Sequence, residues 1–169
     1  MKTVTSRQPG KRASSSRSPR SRVAESSPAY RSNICYVESS ALLAALLEHD
    51  ADALEVLRGA FTLVTSELTF AECHRAIVRA ESSGRLAGVQ SPGLKKALAT
   101  FAARCTVVAV TSEILERTGY AFPIEPVRTL DGIHLATIEA LGEPTPRVTV
   151  LTRDRRVHSN AIAMGFTVA

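Results

Sequence analysis

Short apolar runs alternate with longer stretches of helical spacing from Asn33 to the end of the 169-residue chain. The first run, residues 34–37, is rich in strand formers. Glu38-Ser39-Ser40 leads from it into a helical stretch over 41–48, which either serine can cap. Residues 52–58 predict a second helix with Leu54 and Leu57 inward, closed by Gly59, and 61–65 a second buried strand. Ser66 opens a long helix to about Ser83 that carries Leu68, Ala71, Glu72, Arg75, Ala76 and Arg79 at helical spacing. A helix over 92–104, a strand over 106–110 and a helix capped by Ser112 that ends before Pro123 come next. Thr129 caps a helix over 130–141, stopped by Gly142 and Pro144; residues 147–152 form a fourth strand and 166–168 a candidate fifth. Strands that are apolar throughout, each separated by a helix long enough to cross over, predict an α/β fold. Its expected form is a three-layer α/β/α sandwich around a parallel four- to five-stranded sheet.

Charge changes the picture at the N-terminus. Residues 1–32 carry eight Lys or Arg against the single acid Glu25, a net of +7, so the remaining chain comes to −2 within a total of +5. The same segment holds nine Ser and three Pro, and its only branched aliphatic residues are Val4 and Val23. That is too little apolar surface to offset the entropy of ordering it. Residues 1–32 therefore read as a disordered basic tail and residues 33–169 as one folded domain. The tail is a solvated extension, a weak nucleic-acid arm, or the result of a start site set too far upstream. No apolar region follows Lys2, which argues against a secretory signal. The longest apolar stretch, residues 41–47, has seven residues, against roughly 18 for a membrane-spanning helix. Cys35, Cys73 and Cys105 form no CxxC pair and have apolar neighbours, which suits a reducing compartment and a cytoplasmic location.

In an open parallel sheet the working crevice lies beyond the carboxyl ends of the strands, where strand order reverses. Four acids are placed to meet there. Glu38 directly follows the first strand, and Asp154 lies two residues past the fourth. Asp131 stands in the first turn of the preceding helix, and Glu72 interrupts an apolar stretch where an unpartnered carboxylate is costly to bury. Each has an ordinary alternative: Glu38 as a helix N-terminal residue, Glu72 paired with Arg75 or Arg79, Asp131 as a helix-dipole partner, Asp154 as a surface turn. Together in one pocket they would raise one another's pKa unless a cation sat between them. Oxygen donors without histidine or thiolate favour Mg²⁺ or Mn²⁺ over Zn²⁺. Such an ion supports hydrolysis of a phosphodiester without a protein nucleophile.

The blocks YVESSALL, SELTFAECHRAI, RTLDGIHLATIEAL and VLTRDRRV occur in the order and spacing of PIN domains, and the chain resembles a VapC-type toxin ribonuclease over residues 33–169. The resemblance assigns the family's site acids to Glu38, Glu72, Asp131 and Asp154 as catalytic and metal-binding groups, with Ser40 and Thr152 orienting ligands or water. It implies an Mg²⁺- or Mn²⁺-dependent endoribonuclease leaving 5′-phosphate and 3′-hydroxyl ends, RNA as substrate, a small cognate antitoxin, and homodimers. One residue departs from the pattern: the first acid is normally aspartate and here is Glu38. The extra methylene is expected to weaken Mg²⁺ more than Mn²⁺.

His134 shares a helix face with Asp131, either as a helix histidine packed on the sheet or, as the lesser alternative, in a metal role. His74, beside Glu72, reads as structural, and His49 and His158 as exposed. Arg153, Arg155 and Arg156 are candidate RNA-phosphate contacts or a solvated face, and Arg75 either pairs with a site acid or meets the phosphate. No GxxxxGK, GxGxxG or GxSxG motif occurs, which sets aside phosphate-loop, dinucleotide and serine-hydrolase chemistry. The alternative to a nuclease is a PIN-like RNA-binding or scaffold protein whose metal site the Glu38 change impairs.

Overall fold

The computed structural model describes residues 34–169; the expectation of a disordered basic tail over 1–32 lies outside the described residues. The chain enters at β1 (Ile34–Val37), turns into α1 (Ser39–Leu47) and α2 (Ala51–Gly59), and returns through β2 (Thr62–Ser66) into the long α3 (Glu67–Ser82). α4 (Ser91–Ala102), β3 (Thr106–Val108) and α5 (Ser112–Arg117) follow. The last third is α6 (Thr129–Ala140), a 3₁₀ turn (Thr145–Arg147), β4 (Val148–Leu151), α7 (Arg155–Ala163) and β5 (Thr167–Val168).

All five strands run parallel, in the order β3-β2-β1-β4-β5. From β1 in the middle of the sheet the chain builds outward to β3, then crosses back to lay β4 on the other side of β1. Strand order therefore reverses between β1 and β4, whose register pairs Val37 with Leu151. The carboxyl ends of these two strands open the crevice that such a reversal creates.

Alternation along β1 divides the core into two layers, because successive strand residues face opposite sides of the sheet. Cys35 and Val37 pack with Leu42, Leu63, Cys73, Ile77 and Leu98 of the α1, α3 and α4 side. Tyr36 packs with Ile133, Leu135, Ile138, Val150, Val157 and Phe166 of the α5, α6 and α7 side. These two layers and the sheet between them are the three-layer sandwich expected from the apolar runs.

Several boundaries differ from expectation for local reasons. The cap of α1 is Glu38 itself, whose side chain accepts from the Ser40 backbone N–H, not either serine. Thr111 rather than Ser112 caps α5, and α6 begins at Thr129 without a side-chain cap. β3 stops at Val108, since it is an edge strand paired only along Val64–Ser66 of β2. Helix α7 was not expected: it buries only Val157, Asn160 and Ala161, too narrow an apolar stripe to stand out among its arginines. Gly142, with φ of 63°, ends α6 in the left-handed conformation that glycine tolerates. Among the described residues no helix is long and apolar enough to cross a membrane.

Candidate functional site

The crevice is built around Glu38, the residue at which β1 stops and α1 starts. Its backbone N–H continues the sheet by donating to the Leu151 carbonyl at 3.0 Å, while its side chain folds back over the first turn of α1. One carboxylate oxygen, Oε2, accepts from the Ser40 N–H at 3.0 Å, the Thr152 hydroxyl at 2.9 Å and the Ser40 hydroxyl. The other, Oε1, accepts from the Ser39 hydroxyl at 2.6 Å. The expected supporting residues Ser40 and Thr152 thus hold Glu38, one from the first turn of α1 and one from just past β4. The extra methylene of glutamate is absorbed by this fold-back, and the carboxylate is only 4% exposed.

Glu72 arrives from α3, whose buried stripe of Thr69, Cys73 and Ile77 seats the helix on the sheet. Its Oε2 lies 2.8 Å from Nε2 of His134, and the same nitrogen is 3.7 Å from Glu38 Oε1. Burial works against ionisation of Glu72, but the hydrogen bond and charge of His134 outweigh it and hold the carboxyl below its usual range. His134 is buried within α6, in a run from Gly132 to Ile138 with no exposed residue. Its Nδ1 meets the Tyr36 hydroxyl at 2.8 Å. Burial first, then the charges of Glu38 and Glu72, push the Tyr36 pKa well above 10, so this phenol stays protonated. Ligand atoms of Glu38, Glu72 and His134 all lie within 4.8 Å of one another.

Asp131 stands one turn before His134 on α6. Burial and the charge of Asp154 raise its pKa, and its Oδ2 is buried without a hydrogen-bond partner among the described residues. Asp154 caps α7, accepting from the N–H groups of Arg156 and Val157 at 2.7 and 3.2 Å. Its own N–H donates to the Thr152 hydroxyl at 3.0 Å, so Thr152 ties Asp154 to Glu38. The structure therefore gathers Glu38 and Glu72 with His134 in one cluster, and the charge of Asp154 acts on Asp131. Two close carboxylates with an imidazole, beside an acid oxygen left without a donor, are a donor set that fits a divalent cation.

A family model described as PIN domain matches residues 35–162. The chain belongs to the PIN domain family. Ribonuclease VapC46 of Mycobacterium tuberculosis is 36% identical over 135 residues, covering 79% of this chain and 94% of that protein. Among solved structures, Mycobacterium tuberculosis VapC20, a sarcin-ricin loop cleaving toxin, superposes with a TM-score of 0.57 at 16% identity, covering 79% of this chain and 96% of that one. A toxin–antitoxin complex from Klebsiella pneumoniae gives 0.51 at 18%, covering 80% and 95%. At these identities the structures speak for the fold alone.

Around the acids of this PIN domain the arginines divide. Arg153 is engaged in a two-pronged pair with Asp50, at 2.7 Å from Nε and 3.2 Å from the terminal nitrogen. That pair and the Ala53 N–H pull Asp50 to a pKa of about 2. It pins the loop before α7 to the start of α2. Arg155 is exposed, and Arg156 is half-buried near Asp131, whose charge it offsets. Arg75 stands exposed on α3 and forms no ion pair with a site acid among the described residues.

His134 and Tyr36 are the site residues that sequence reasoning undervalued. A histidine inside a fully buried helix stretch must find partners for both ring nitrogens, and a tyrosine inside a buried strand must satisfy its hydroxyl. Each answers the other's requirement. The imidazole stands beside the oxygen donors expected from the sequence.

Proposed function

We propose that this PIN domain is a metal-dependent endoribonuclease and the toxin of a toxin–antitoxin pair. The observation that carries the reading is the convergence of Glu38, Glu72 and His134 at the switch point of the sheet, with no serine, threonine or cysteine nucleophile among the acids and imidazole of the set. Glu38 and Glu72 would hold Mg²⁺ or Mn²⁺, with Asp131 and Asp154 completing the acidic set that the family resemblance implies. When bound, the ion supplies positive charge for the scissile phosphate and makes water acidic enough to serve as nucleophile.

The chain's own residues do the rest. Ser39, Ser40 and Thr152 fix the Glu38 carboxylate, so no reorganisation is required when substrate arrives. Asp131 is the carboxyl best suited to take a proton, because burial and Asp154 make its unpartnered Oδ2 more basic than an ordinary aspartate. Arg75, Arg155 and Arg156 would contact phosphates of the RNA strand in this reading.

A small antitoxin is the partner this reading requires. An apolar groove of about 480 Å³ includes Leu46, Leu54, Leu57 and Phe101, with Arg58 and Lys96 also lining it; this suits an amphipathic segment with acidic flanks. A homodimer and a cytoplasmic location complete the proposal. The test uses the purified chain on RNA with Mg²⁺ or Mn²⁺ against EDTA. Cleavage only with metal, leaving 5′-phosphate and 3′-hydroxyl ends, is the expected result. RNA that is bound but uncut under both ions would instead favour the scaffold reading. A neighbouring gene product of antitoxin size, when co-expressed, should co-purify and suppress cleavage; failure to do either would overturn the toxin assignment.

A further inference from the structure

Resting on the nuclease reading, we propose that His134 donates its Nε2 directly to the ion, making this a mixed nitrogen–oxygen centre that selects Mn²⁺ over Mg²⁺. Three observations lead there. His134 Nε2 lies 2.8 Å from Glu72 Oε2 and 3.7 Å from Glu38 Oε1. The 2.8 Å contact is a hydrogen bond to Glu72, and an ion would take the place of its Nε2 proton, which leaves to solvent. Donors on one ion with bonds of about 2.1 Å sit about 3 Å apart when adjacent and about 4.2 Å apart when opposite, so both separations fall within the range of a shared ion.

The two oxygens of Glu38 are unequally used. Oε2 takes three hydrogen bonds, from the Ser40 N–H, the Ser40 hydroxyl and Thr152, whereas Oε1 takes one, from Ser39. Oε1 therefore keeps a lone pair, and it is the oxygen that faces His134.

The far side of the imidazole is prepared for ligation. A metal-binding histidine needs its other nitrogen to carry the proton and donate it to a fixed acceptor. Tyr36 Oη, 2.8 Å from Nδ1 and fully buried, is that acceptor. The phenol's own proton can turn to the Thr137 hydroxyl, which is a side-chain hydrogen-bond partner of Tyr36. The Thr137 hydroxyl donates to the Ile133 carbonyl at 2.7 Å, so its lone pairs remain open. Neutral imidazole suits Mn²⁺ and its neighbours in the transition series, whereas Mg²⁺ prefers oxygen.

The chain has four histidines, and His49, His74 and His158 are exposed. Replacing those three by glutamine leaves His134 alone without touching the core. The untagged triple variant, loaded with one equivalent of Mn²⁺, is read by pulsed electron paramagnetic resonance for nitrogen coupling, with ¹⁵N-histidine labelling to assign it. The expected result is histidine nitrogen coupling on the bound Mn²⁺, together with calorimetric binding about tenfold or more tighter for Mn²⁺ than for Mg²⁺. Tight Mn²⁺ binding without histidine coupling would overturn the proposal and leave His134 as a positioning residue for Glu72, with the carboxylate nuclease reading intact. Failure to bind Mn²⁺ at all would remove both.

Discussion

Asp131→Asn is expected to melt at a higher temperature than the parent in metal-free buffer at neutral pH, and to have lost RNA cleavage by roughly a hundredfold or more. The two effects have one cause. Burial and the neighbouring Asp154 charge raise the Asp131 pKa above its ordinary 3.8, so the folded state holds this proton more tightly than the unfolded chain. Ionising Asp131 therefore opposes folding: its stability penalty is absent below the ordinary value, grows as pH rises through the window up to the raised folded value, and is complete above it. An amide removes that penalty together with the charge that the site needs. Melting curves in EDTA should show the gap between variant and parent opening as pH rises through that window and closing below it. Equal melting at neutral pH with full cleavage would return Asp131 to the role of an ordinary helix-dipole residue.

Glu38→Gln is expected to reduce cleavage by roughly two to three orders of magnitude, whereas Glu38→Asp should leave Mg²⁺-supported cleavage equal to or above the parent. The carboxylate accepts from Ser39, from the Ser40 hydroxyl and N–H, and from Thr152. An amide turns one of those acceptors into a donor that faces other donors. It also weakens the cap of α1, at a cost of about 0.5–2 kcal/mol, so the variant should melt lower as well. Aspartate keeps the charge, caps a helix well, and shortens the reach by roughly 1.5 Å, which suits the tight distances of Mg²⁺. Cleavage rates under each ion, measured beside melting temperature, check both variants. Undiminished cleavage by Glu38→Gln under both ions would mean that Glu38 only caps the helix.

The sheet was legible because a parallel sheet buried on both faces needs short runs of strand formers in place of a polar/apolar alternation, and Ile34–Val37, Thr62–Ser66 and Val148–Leu151 are written that way. The positions of Glu38 and Thr152 followed from the same logic, since a residue just past a central strand lies at the crevice whatever its neighbours do. The partnership of His134 with Tyr36 was not legible. It joins residues 98 positions apart, and no local period marks a cross-layer contact. The pairing of Arg153 with Asp50 was hidden for a similar reason: Asp50 comes from a different helix start, and the two meet only in the fold. Helix α7 escaped because its buried stripe is three residues wide, below what hydrophobic periodicity can distinguish from a loop.

The most direct test of a nuclease centre on this cluster is a paired titration, with Mn²⁺ occupancy and RNA cleavage measured on the same samples of the parent and of Glu72→Gln. In the parent, cleavage should rise in step with the filling of one saturable site and vanish on adding EDTA. In Glu72→Gln, folded by circular dichroism, both occupancy and cleavage should be lost at Mn²⁺ concentrations that saturate the parent. Parental binding and cleavage in Glu72→Gln would contradict a centre built on Glu38, Glu72 and His134.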